Sequence, residues 1–267
     1  MKQKFEIPYN FDFKLIDDLT PYKDFVDFIY MPSFYVDGGN SRKDLVLKEN
    51  VPMNWDEYIS HIEYIQNNNF NIGLLIQENC TIELIDKYYD LGIKIFVLND
   101  NELTTEVKQK YDDIKCVLSI TSVLSLDDIK NNDYSMYDEI VLFFNFCRQI
   151  QLLKELPKEY KYVLIVNSHC VYNCDRASVH WKLNADTLEE YDIKVDNIIK
   201  GYCSEIYRED RAFIQPNDLV YFNEYITNYK LVDRLMPTED ILYDIDRYTK
   251  QYENTKKDIT WYMIGGE

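Results

Sequence analysis

The stretch VNSHCVYNCDRASVHW, Val166 to Trp181, gathers His169, Cys170, Cys174 and His180 into a span of twelve residues. The whole chain holds six cysteines and three histidines. Cys170 and Cys174 are separated by VYN, and in a loop that spacing lets two thiolates converge on one metal centre. Structural zinc pairs use about two to four intervening residues, so zinc is allowed. Zinc pairs commonly come as two matched knuckles, however, and Cys203 has no near partner in the sequence. Thiolates also select iron–sulfur clusters, for which isolated third and fourth ligands are ordinary.

A nucleophilic cysteine is the rival chemistry, and it needs a base, usually His. His169 adjoins Cys170, but successive residues of a strand point to opposite faces. His180 is better spaced, with no clear Asp or Asn to orient it. A radical-SAM site requires CxxxCxxC. The run CVYNCDRA supplies two cysteines and then Ala177 where the third belongs, and such a motif normally follows the first strand of its barrel. Spacing alone favours a metal or cluster at Cys170 and Cys174. Cys116 and Cys147, in apolar surroundings, read as core residues.

The elements that would position these side chains alternate along the chain. FVDFIYMPSF (Phe25 to Phe34) reads as a strand. NWDEYISHIEYIQNN follows, with Tyr58, Ile62 and Ile65 at helical spacing, Asn54 as N-cap, and His61 as a surface or boundary residue. Then come the strand NIGLLIQENC, the helix TIELIDKYYDLG ending at Gly92, the strand IKIFVLND, the helix NELTTEVKQKY and the strand IKCVLSITS. A short helix opened by Ser125, the strand EIVLFFNFC, the helix RQIQLLKELP and the strand KYVLIVNSHC complete six strand–helix units. Ala212 to Gln215 gives a short seventh strand before a helix begun near Pro216. NYKLVD and a helix capped by Thr238 give the eighth.

Near-continuous apolar strands alternating with helices mean a parallel sheet. Eight such units in 267 residues match a TIM-like (β/α)8 barrel, which takes about 250 residues. The expectation is an α/β fold, one domain over residues 1–267, irregular at strand 7. An open doubly wound sheet would need a Gly-rich first turn, and MPSFYVDGGN is not GxGxxG. Chemistry in a barrel sits at the C-terminal strand ends. In this reading Cys80, Cys147 and Cys170 end strands 2, 5 and 6. Cys174 follows strand 6, Cys203 precedes strand 7, and Cys116 lies inside strand 4.

The formal net charge is −18, from 47 acidic and 29 basic residues. An acidic surface repels phosphate and no Lys/Arg block relieves it, so nucleic acid is a poor partner. A small-molecule substrate or a basic protein partner fits better. No apolar segment follows the basic start, and the longest apolar runs are too short to span a bilayer. The expectation is a cytoplasmic protein whose cysteines are ligands or catalytic groups rather than bridges.

LIVNSHCVYNCDRASVHW resembles the NxGCxxxCPxRxxH segment of the collagenase-like peptidase U family. KFEIPYNFD looks like the start of one branch of that family, and NIGLLIQENC resembles its second-strand segment ending in Cys. AFIQPNDLVYFNEYITNYKLVDRLMPTEDIL is similar to the family's IRPEDL…Y…KI.GR..PTE ending. Departures are Ser168 and His169 before the first Cys, Asp175 in place of Pro, and Asp233 in place of Gly. The first two alter the loop beside the cysteines, so a substrate choice different from the family's is allowed.

The resemblance implies a TIM-like barrel. Despite the peptidase name, it also implies kinship with oxygen-independent hydroxylation proteins of ubiquinone synthesis and RNA modification. These bind a 4Fe-4S cluster through four cysteines, and some draw their oxygen atom from prephenate. The matching set here is Cys80, Cys170, Cys174 and Cys203, with zinc as the alternative metal. Strands 2 and 6 lie on different sides of a barrel, so Cys80 must reach across the mouth or leave an iron with an open site. Arg176 and Arg234 could hold a carboxylate, since a guanidinium matches that shape. His180 could serve as acid or base near neutral pH. The function expected is a hydroxylase or related redox enzyme acting on a small molecule or modified polymer with an oxygen donor. The alternatives are a cluster-carrying partner subunit of a heteromer and a metal-dependent peptidase. The peptidase is weakest, because the chain has no HExxH pair or triad.

Overall fold

The computed structural model describes residues 3–37, 51–77, 79–122, 125–171, 211–232, 234 and 236–250, with backbone alone at 169, 171 and 211. Eight parallel strands close into a barrel: β1 (Lys4–Pro8), β2 (Val26–Pro32), β3 (Ile72–Leu75), β4 (Ile95–Leu98), β5 (Lys115–Leu118), β6 (Glu139–Leu142), β7 (Tyr162–Ile165) and β10 (Asn228–Lys230). Each strand pairs with its sequence neighbour around the ring, and β10 sits between β7 and β1. The remaining two strands, β8 (Asn167–Val171) and β9 (Arg211–Phe213), form a separate antiparallel pair. All four residues of β3, β4, β6 and β7 are buried, as continuous apolar strands between a lumen and a helix layer require.

The lumen is filled by Phe28, Tyr30, Leu75, Ile95, Val97, Val117, Val141, Val163 and Ile165. Gly73 of β3 belongs among them for a steric reason. A Cβ there would fall 2.3 Å from the Phe28 ring, so the ring occupies the volume a side chain would take.

The helices are α1 (Phe13–Leu19), α2 (Trp55–Asn67), α3 (Ile82–Tyr89), α4 (Asn101–Lys110), α5 (Leu126–Asn131), α6 (Ile150–Lys154) and α7 (Thr238–Lys250). Their starts follow capping chemistry: Asn54, Thr81, Asp100 and Ser125 each accept from a backbone N–H of the first turn. Ser125 and Asp128 form a reciprocal capping box. Gly92 stops α3 with φ +83°, and Ile93 N–H returns to Tyr88 O at 3.2 Å, turning the chain into β4. Thr238 begins α7 and does not cap its own turn. Its hydroxyl lies 2.5 Å from Asp12 Oδ2, which ties α7 to the start of α1.

The barrel has the eight strands that the sequence predicts, but not the same eight. The expected seventh strand, Ala212 to Gln215, is not in the barrel. Residues 211–213 pair antiparallel with β8, Asn167 opposite Phe213 and Val171 opposite Arg211. The missing barrel strand is KFEIP at the N-terminus, β1. Val166 is where the path divides: its N–H donates to Lys230 O inside the barrel, while its carbonyl accepts from Ile214 N–H outside it. Tyr248 of α7 braces this junction, its hydroxyl 2.8 Å from Val166 O and 2.7 Å from Ile214 O. Among the described residues no helix is long and apolar enough to cross a membrane.

Candidate functional site at the barrel mouth

The C-terminal ends of β3 and β4 open onto a cleft of about 510 Å³ lined by Gln77, Asn79, Cys80, Asp100, Ser122 and Tyr134, among others. Cys80 does not end a strand. β3 stops at Leu75, and Cys80 lies just before the Thr81 cap of α3, half-buried against the apolar layer outside the barrel. Burial pushes its thiol up to about 12, with Asp100 and Cys116 adding to the rise. With burial and Asp100 both favouring the protonated thiol, Cys80 is a poor nucleophile. A metal would have to displace its proton.

Cys170 likewise lies beyond its barrel strand, in β8, half-buried, with its N–H donated to Ser168 Oγ at 3.1 Å. Asn167 anchors that segment. Its Nδ2 donates to Asp244 Oδ2 at 2.8 Å, and its Oδ1 accepts Val232 N–H at 2.7 Å. Cys80 and Cys170 therefore follow β3 and β7, which are four places apart around the eight-stranded ring. Cys174, Arg176, His180 and Cys203 lie outside the described residues. Among the described residues, no group of three or more His, Cys, Asp or Glu side chains could hold a metal ion. Arg234 is part-buried just after β10, its guanidinium carbon 5.9 Å from the centre of the Tyr30 ring.

Cys116, fully buried in β5, and Cys147, buried in the 3-10 turn Phe144–Cys147 after β6, are core residues as expected. His61 is not at a boundary. It is buried, with Nδ1 2.7 Å from the Tyr9 hydroxyl and Phe13 stacked on its ring at 4.2 Å. Burial brings its pKa down to about 4, against the pull of Glu57 and Asp12, so it is neutral at pH 7.

The polar residues inside the barrel were not singled out from sequence. At the N-terminal end, Lys115 Nζ bridges Asp27 Oδ2 and Glu139 Oε2, both at 2.8 Å, and Asn228 Nδ2 donates to Glu139 Oε1 at 3.0 Å. A register shift between Phe5 and Glu6 makes Asp27 the extra residue opposite β1. Burial pushes the Glu139 carboxyl up to about 7, although Lys115 opposes it. Nearer the mouth, Lys230 Nζ is 2.5 Å from Glu6 Oε2. The available signal was a charged residue, Glu6 or Lys230, set between apolar ones in the two short stretches FEIP and NYKLV.

No known family model matches the chain, and no curated protein matches it. Among solved structures, the U32 peptidase Mk0906 is similar. It matches with a TM-score of 0.58 and 12% identity, over 89% of this chain and 94% of that one. At that identity the likeness is one of fold.

Proposed function

We propose that this chain is a member of the peptidase U family, U32, and that its barrel carries a 4Fe-4S cluster at the mouth. It would act as an oxygen-independent hydroxylase or related redox enzyme on a small molecule or modified polymer. The observation that carries the reading is positional. In a barrel matched over nearly its whole length by a U32 peptidase, half-buried cysteines follow the C-terminal ends of two opposite strands. Cys80, Cys170, Cys174 and Cys203 would be the ligands, an all-thiol set that suits iron–sulfur chemistry. The cluster would supply electron transfer or a Lewis-acidic iron. Arg234 and Arg176 would orient a carboxylate, such as that of an oxygen donor, and His180 would move a proton.

A metal-dependent peptidase is the weakest reading, because the chain has no HExxH pair. The formal charge of −18 favours, as a second reading, a cluster-carrying subunit that docks on a basic partner. Anaerobic purification followed by iron, sulfide and zinc analysis tests the proposal. Iron and sulfide in equal amounts are expected, with both lost in Cys80→Ala and Cys203→Ala. Zinc without sulfide would overturn it, and full iron content in those variants would overturn the ligand set. Activity that appears only when a partner is added would favour the subunit.

A further inference from the structure

One amine in the lumen is used by neither the cysteines nor the arginines. Lys230 is the last residue of β10, at the end of the barrel where chemistry resides. The two-residue period of the strand turns it inward together with Asn228. Its Nζ lies 2.5 Å from Glu6 Oε2 and 3.9 Å from the centre of the Tyr30 ring. The side chains of Lys230 and Glu6 are 8% and 0% exposed. Tyr30 is fixed from behind by the bond from its hydroxyl to Leu231 O at 2.7 Å. Arg234 approaches the same ring, with its guanidinium carbon 5.9 Å from the centroid.

Stability alone does not account for the pair. Desolvating two charges offsets most of their attraction, and an aliphatic pair would serve the lumen as well. The pair is also incomplete. Glu6 Oε2 takes the ammonium, while the buried Glu6 Oε1 has no hydrogen-bond partner among the described residues. A buried network built only for structure satisfies its members. The charged groups that bear on Lys230 are Glu6 of β1, Glu139 of β6 and Arg234. Burial lowers its proton affinity first, and Arg234 lowers it further. The two carboxylates pull the other way and do not prevail. A larger share of Lys230 is therefore unprotonated at a given pH than of a surface lysine, and the free amine is the nucleophile.

We propose that Lys230 is a carbonyl-reactive amine that condenses with a small aldehyde, ketone or 2-oxo acid entering from the mouth. The amine lone pair forms a C–N bond to the carbonyl carbon, and the C=O π pair passes to oxygen. That oxygen then leaves as water with two of the three protons of the Lys230 ammonium, one of them held by Glu6 during the attack, and a cationic C=N bond that keeps the third proton remains. Nothing is oxidised or reduced. Glu6 relays the protons from nitrogen to oxygen, and the Tyr30 face stabilises the cationic imine. The inference is independent of the iron–sulfur reading, since no step passes through a metal.

The test is reductive trapping on the full chain with glyoxylate and cyanoborohydride, followed by intact mass measurement and peptide mapping. One carboxymethyl group per chain is expected, on Lys230. Its labelling should reach a plateau at lower pH than that of surface lysines, and should outpace theirs by about tenfold for each unit its proton affinity is lowered. The double variant Lys230→Met with Glu6→Gln, which leaves no unpaired buried charge, should lose this fast label alone. Labelling confined to surface lysines of the wild-type chain, with Lys230 unmodified, would overturn the proposal. So would an unchanged fast label in the double variant.

Discussion

Replacing Glu139 by glutamine separates the charge of that residue from its shape. Its side chain is 6% exposed, and it meets Lys115 and Asn228 inside the barrel. Burial raises its carboxyl from an ordinary 4.5 to about 7. Between those two values the folded protein holds a proton that the unfolded chain has released. Stability is therefore present at low pH and falls as pH rises through that window. At ~1.4 kcal/mol for each tenfold step in proton affinity, the fall comes to about 3 kcal/mol. Lys115 does not change charge in this range, and Glu139→Gln cannot ionise at all. The difference in unfolding free energy, wild type minus Glu139→Gln, should therefore drop by about 3 kcal/mol between pH 4.5 and pH 8. Urea denaturation followed by circular dichroism at several pH values measures it, with each protein compared at equal pH so that other carboxylates cancel. A difference that is flat with pH, or that grows with pH, would refute the reasoning. It would mean that Lys115 outweighs burial and that Glu139 is ionised throughout.

Two further predictions concern packing and a buried ring. Gly73→Ala places a Cβ 2.3 Å from the Phe28 ring, and should cost about 1–3 kcal/mol in urea unfolding, relieved by a second change of Phe28→Leu. The His61 ring proton resonances should titrate near pH 4 by NMR, and a midpoint above 6 would contradict its buried, neutral state.

Much of the barrel is written in four-residue apolar stretches such as IGLL and IFVL, which cannot cover two buried faces except as parallel strands. The helix starts were equally legible, because Asn54, Thr81, Asp100 and Ser125 cap by local chemistry. β1 was hidden by Glu6, which breaks the apolar pattern and makes sense only opposite Lys230, far along the chain. Ala212 to Gln215 has strand chemistry, but its partner is the antiparallel β8, and pairing partners are not encoded in local periodicity. His61 shows the same limit: a helical residue between Glu57 and Glu63 is buried because Tyr9 and Phe13 close over it. Of the proposed ligands, Cys170 was suggested by spacing and Cys80 by resemblance. Lys230 was missed, since its meaning depends on the inward face of a strand of three residues.

The central claim is a tetranuclear cluster held by thiols from opposite sides of the barrel mouth. The Mössbauer spectrum of anaerobically isolated, iron-enriched protein tests it most directly. The account predicts that essentially all iron falls in the valence-averaged doublets of a 4Fe-4S cluster, and that the signal is lost in Cys170→Ala and in Cys80→Ala alike. Mononuclear iron, or stoichiometric zinc with no cluster signal, would contradict it.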